Sequence, residues 1–337
     1  MLALVFSLSG GALAVPSPAG AAGSSSRQEG IALYVETQGL TDQQVLDQAR
    51  LTFAYCKSLG ENAVALNFPF EVSSVKANDP RSIAGVTPSP ELLGQLIALG
   101  ATYGLSAQVR PLLIEANLIH SWRGLLAPTR PAVWFSNYWN FIQPYLQVAQ
   151  SEAAGSFYIS SELESLVATE KQRWVDLIKR ARSVFSGPIY ASTTVGLFLP
   201  VSSALASFDD YNRIDAGDSA SIATVTHGIE TNLASANIPG ARSSLVLSEV
   251  GIAAARGAYR APYDFGLAPP VVRSIQSRWF TAMCNTFWTD HLRGIYFWVL
   301  SLSSFSPSEN DADSTTGWVG TASEAAIKAC FSRSPSA

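Results

Sequence analysis

The chain has 337 residues, 47% hydrophobic and 10% aromatic, enough for one large core or two ordinary ones. Only 14% are charged, against roughly 25% in an average soluble domain. With 22 Lys plus Arg against 26 Asp plus Glu, the net charge is −4, which supplies no basic footprint for nucleic acid and argues against disorder.

The chain opens with an apolar run through Val15, followed by a Pro-, Gly- and Ser-rich stretch. The run is too short to span a bilayer and reads as a signal peptide or anchor with its linker over residues 1–28. No Lys or Arg precedes Arg27, so the usual positive start is missing. The mature domain, residues 29–334, is expected to be secreted or held at the cell envelope, as a monomer without membrane insertion.

From there short runs rich in β-branched and aromatic residues alternate with amphipathic stretches. The expected strands are Ile31–Glu36, Ala63–Phe68, Ser106–Leu113, Ser156–Ser161, Pro188–Thr193, Tyr211–Ala216, Ser244–Val250 and Gly294–Leu300. Thr41 with Gln44, and Thr169 with Gln172, fit capping boxes, and Ser89 before Pro90 marks a helix start. Gly60, Gly104 and Gly187 stand where left-handed C-caps are wanted. Trp134, Tyr138, Trp139, Phe141 and Ile142 recur at helical spacing and read as core. Eight β/α units point to a single α/β domain, a (β/α)8 TIM barrel. An open doubly wound sheet would want a glycine-rich phosphate loop after its first strand, and no G-x-G-x-x-G occurs.

Of three cysteines, Cys284 and Cys330 are the pair chosen to bridge in an oxidising compartment; the alternative is three small buried hydrophobes. No C-x-x-C, H-E-x-x-H, G-x-S-x-G or P-loop motif is present, so no cofactor and no metal is expected.

In such a barrel the chemistry gathers at the C-terminal ends of the strands. Strand two offers Asn67. Strand three offers Arg110, then Glu115, His120, Trp122 and Arg123 in the loop beyond. Strand four runs into Glu162 and Glu164, strand six into Asp215 and Asp218, strand seven into Glu249, and strand eight carries Trp298. Glu162 and Glu249 each follow an apolar run, where a carboxylate is costly unless the site uses it. Two facing carboxylates are what glycoside hydrolysis requires. Asn67, Arg110, His120, Trp122, Arg123 and Trp298 are the candidate substrate contacts, with Arg110 also the positive neighbour of the nucleophile. Tyr259 and Arg260 are candidates for the cleft wall, and Glu164 is read as a loop residue or one behind the pair.

The blocks HSWRG (His120–Gly124), WFSNYWNFI (Trp134–Ile142), ISSELES (Ile159–Ser165) and VLSEVG (Val246–Gly251), in this order, resemble glycoside hydrolase family 113. SGPIYAS (Ser186–Ser192) is similar to the family's fifth strand. The resemblance implies a (β/α)8 enzyme, endo-acting on β-1,4-mannan, with Glu162 as acid/base and Glu249 as nucleophile. It also implies a Tyr soon after the aspartate of strand six. With that strand at Tyr211–Ala216, the chain offers Asp215–Ala216–Gly217–Asp218 and no such Tyr. Ser161 stands where many clan members carry Asn. The missing Tyr leaves a second expectation open, a catalytically silent carbohydrate-binding barrel; a structural scaffold is a third.

Overall fold

The computed structural model describes residues 27–119, 121–200 and 204–333. His120 and residues 1–26 of the expected leader lie outside the described residues.

Eight parallel strands close into a ring in sequence order: β1 (Gln28–Tyr34), β2 (Ala63–Phe70), β3 (Ser106–Leu113), β4 (Ser156–Ser161), β5 (Ile189–Thr193), β6 (Leu205–Asp209), β7 (Val246–Val250) and β8 (Gly294–Ser301). β8 pairs back onto β1 and leaves no edge. Seven strands fall where the apolar runs predict them. The sixth does not: it is Leu205–Asp209, upstream of the expected Tyr211–Ala216. Leu-Ala-Ser-Phe-Asp contains no β-branched residue, and Phe208 alone marks it only weakly as extended. It is a strand because β5 and β7 supply partners on both sides, as Ser192↔Ser207 and Ser207↔Val246 show.

The helices are α1 (Asp42–Leu59), α2 (Pro90–Thr102), α3 (Pro131–Ser151), α4 (Glu164–Thr169), α5 (Lys171–Arg182), α6 (Ile222–Ser235), α7 (Arg273–Thr289) and α8 (Ala322–Phe331). Among the described residues no helix lies between β5 and β6. The Thr41/Gln44 capping box forms, and Ser89 caps α2 ahead of Pro90. The expected Thr169/Gln172 box does not, because α4 runs through Thr169 and the chain breaks at Glu170, whose side chain makes no cap bond. Gly60, with φ 99°, closes α1 as a left-handed cap, and Gly187 takes no such conformation.

Two apolar layers result. Trp134, Trp174 and Trp279 fill the space between ring and helices, fully buried. Trp134 stacks on Tyr138 at 4.8 Å, as the spacing along α3 predicts. Inside the ring, Ala63, Ala65, Tyr158, Tyr190, Val246 and Tyr296 pack together as a floor. Such a barrel is a filled core and not a pore, so a ligand meets it only at its mouth. Cys284 on α7 and Cys330 on α8 are disulfide-bonded, and Cys56 is free and buried. Among the described residues no helix is long and apolar enough to cross a membrane.

Candidate active site

Backbone irregularities aim the two glutamates. The register of β4 against β5 shifts between Tyr158 and Ser160. Glu162, just past the strand, takes a left-handed φ of 55° and donates its N–H to the Ser192 carbonyl at 3.2 Å. A non-glycine residue there costs on the order of 1 kcal/mol. β7 is irregular against both neighbours, between Phe208 and Asp209 on one side and between Leu247 and Val250 on the other. Bulges of this kind break strict alternation. Ser248 therefore faces the interior, bonded by Ser207, while Glu249 beside it also reaches the mouth. One carboxylate oxygen from each of Glu162, Asp209 and Glu249 lies within 4.8 Å of the others.

Arg110 lies under this group with no exposed surface. Its Nη2 pairs with Asp209 Oδ2 at 2.7 Å, and its Nη1 lies 2.9 Å from Glu249 Oε1. It also donates to Ser161 Oγ, Ser192 Oγ and the Ser248 carbonyl. One cation on β3 thus ties β4, β5, β6 and β7 together. Three converging carboxylates resemble a metal-ligand set, but the positive charge between Asp209 and Glu249 is this guanidinium. The other oxygen of Glu249, Oε2, accepts from the Tyr211 hydroxyl at 3.0 Å. That contact corrects the expectation of a missing tyrosine. With β6 ending at Asp209, the aspartate is followed by Asp210 and Tyr211, and Asp215 and Asp218 belong to the loop beyond.

Glu162 has weaker company. Arg123 Nε lies 3.6 Å from its Oε2 but 3.0 Å from Glu115 Oε1, so that cation is shared. Burial pushes the Glu162 carboxyl up to about 7, with Arg123 opposing and Asp209 adding repulsion. Burial raises Glu249 as well, with Arg110 opposing first. Glu162 adds repulsion to Glu249, so the two negative charges oppose each other across the site. Against that burial, Arg110 and the Tyr211 hydroxyl both favour the charged form of Glu249.

A cleft of about 620 Å³ opens over the pair. Trp122, Arg123 and Trp298 line it. Asn67 and Arg110 do not: both are wholly buried, opposite each other on β2 and β3, one layer below the mouth. Tyr259 is also sealed inside, bonded to the Ile275 carbonyl, and Arg260 pairs with Asp215 away from the cleft. That wall is made instead by Tyr263 and Phe265. Glu164, first residue of α4, accepts from Thr193 Oγ1 and the Thr194 N–H, both at 2.8 Å, and so holds the end of β5. Sequence reasoning missed Asp209, Tyr211, Thr194, Asn212, Arg213, Tyr263 and Phe265. Correct placement of β6 would have found the first two through Phe208–Asp209–Asp210–Tyr211.

A closed (β/α)8 ring with a buried, unequally partnered carboxylate pair over its mouth is the arrangement of a barrel glycoside hydrolase. The sequence model of Glycoside Hydrolase Family 113 matches residues 47–319, and the chain belongs to that family. Its fold is similar to that of the GH113 β-mannanase AaManA from Alicyclobacillus acidocaldarius, at 18% identity and a TM-score of 0.76 over 92% of this chain and 99% of that one. A second GH113 β-1,4-mannanase structure matches at 15% identity and a TM-score of 0.76, over 91% of this chain and 99% of that one. The endo-1,4-β-mannanase from Rhizomucor miehei matches at 11% identity and a TM-score of 0.53, over 90% and 95%. No curated protein matches the sequence.

Proposed function

We propose that the protein is a retaining glycoside hydrolase acting on β-linked mannan. Glu249 attacks the anomeric carbon while Glu162 protonates the leaving oxygen. The resulting glycosyl ester on Glu249 is cleaved by a water from which Glu162 takes a proton. The separation of the acids carries this reading. With one oxygen of each within 4.8 Å of the other, the pair suits the close spacing of a retaining enzyme, about 5–5.5 Å, better than the wider one of an inverting enzyme, about 6.5–9.5 Å. The partners support the same roles, since Arg110 and Tyr211 both favour the charged form of Glu249.

Trp298 offers a ring face for the apolar side of a pyranose, and Trp122 and Arg123 offer further contacts. Mannan is favoured because the similar GH113 structures are described as β-mannanases. The Cys284–Cys330 bond and the expected leader support secretion or an envelope location.

The test is a panel of mannan, glucan and xylan, read by new reducing ends and by the anomer first released. Mannan should be cleaved with a β product first. Glu162→Gln and Glu249→Gln should each lower turnover by roughly 10²–10⁴-fold, while glycan binding persists. Only Glu162→Gln should be relieved by a leaving group that needs no proton. Saturable binding without new reducing ends would favour the silent carbohydrate-binding barrel, and turnover unchanged in either variant would remove that residue from the mechanism.

A further inference from the structure

Seven large apolar side chains are exposed among the described residues, and all but Leu51 follow strand ends on the mouth side: Ile119, Leu125, Val195, Leu197, Ile222 and Tyr263. Tyr263 is 67% exposed and, with Val195, is one of two that also line the cleft. An exposed aromatic ring on the wall of a cleft that holds two acids offers an apolar face to whatever enters.

The surrounding segment holds that ring in place. Pro262 before it is buried. The Asp264 N–H bonds to the Ala261 carbonyl at 3.0 Å, and the Gly266 N–H to Asp264 Oδ1 at 2.9 Å. An antiparallel bridge, Ala255↔Val271, closes the base of the loop. Phe265 meets the Tyr211 ring edge-on at 5.8 Å, and Tyr211 holds Glu249. A row thus runs outward from the nucleophile: Glu249, Tyr211, Phe265, and then the segment that presents Tyr263 to solvent. Neither glutamate is bonded to Tyr263.

We infer that Tyr263 is a specificity-determining residue whose ring stacks on a sugar unit beyond the two that share the cleaved bond. The stack uses the same CH–aromatic complementarity as any pyranose on a ring face. A backbone already tied down around the ring loses little freedom when a sugar binds. This inference rests on the functional reading above and adds a residue outside the catalytic group.

The experiment compares kcat/KM on a β-1,4-linked mannan trisaccharide and a hexasaccharide for wild type, Tyr263→Ala and Tyr263→Phe. Tyr263→Ala should lose about three- to tenfold more on the hexasaccharide than on the trisaccharide, mostly through KM. Tyr263→Phe keeps the ring and should behave as wild type. Equal losses on both lengths, no loss on either, or a Phe variant as impaired as Ala would overturn the assignment. A wild-type chain that cleaves neither oligosaccharide fails the functional reading itself, and the inference falls with it. The ring is exposed, so melting temperatures of the variants should match wild type and separate misfolding from lost contact.

Discussion

Tyr211 touches the reacting group through one hydrogen bond, and its hydroxyl stabilises only the charged form of Glu249. Tyr211→Phe removes that donor and leaves Arg110 in place. A hydrogen bond to a charged group is worth about 1.5–3 kcal/mol, so kcat should fall roughly 10–100-fold with KM little changed. The acid limb of the pH profile should move upward, because Glu249 loses a partner of its ionised form. An unmoved acid limb would mean the phenol does not tune the nucleophile. The residues easiest to read from sequence were Glu162 and Glu249, acids ending apolar runs. Arg110 and Asn67 were read as mouth residues because each lies near a strand's C-terminal end. Depth decides otherwise: Asn67 and Arg110 stand three residues short of Phe70 and Leu113, where β2 and β3 end, and so lie a layer lower. A strand-end rule gives position along the sequence and not height in the barrel.

Among the elements, α3 was visible because its aromatic spacing matches one face of a helix, and β6 was hidden because its extended form is imposed by its neighbours. The bulges in β4 and β7 also lay beyond local reading, since they are relations between strands. Helix α8 is held to α7 by Cys284–Cys330, which closes a segment with a sequence separation of 46. Chain-entropy arguments give such a bridge up to about 4 kcal/mol, acting mainly on the unfolded chain. The Cys284→Ser, Cys330→Ser double variant should lose stability of that order in urea unfolding, and added reductant should bring wild type to the same midpoint. Coincident midpoints for oxidised wild type and the double variant would show that the bridge adds nothing.

At the scale of the molecule, burying the acid pair links stability to pH. A carboxyl whose folded pKa lies above its unfolded value binds a proton on folding. Its penalty is absent below about pH 4.5 and grows as pH rises towards the folded value, about 7 for Glu162. Glu162→Gln removes that penalty. The variant should melt with wild type near pH 4 and about 2–4 °C above it near pH 8. A difference independent of pH would point to repacking rather than charge. The alternation of eight β/α units was enough to read the closed ring, because so many crossovers in one chain leave few other ways to cover both faces of a parallel sheet. Tyr158, Tyr190 and Tyr296 stop the ring at its base. A glycan therefore cannot thread this protein: substrate arrives, and both pieces of a cut one leave, by the same open face.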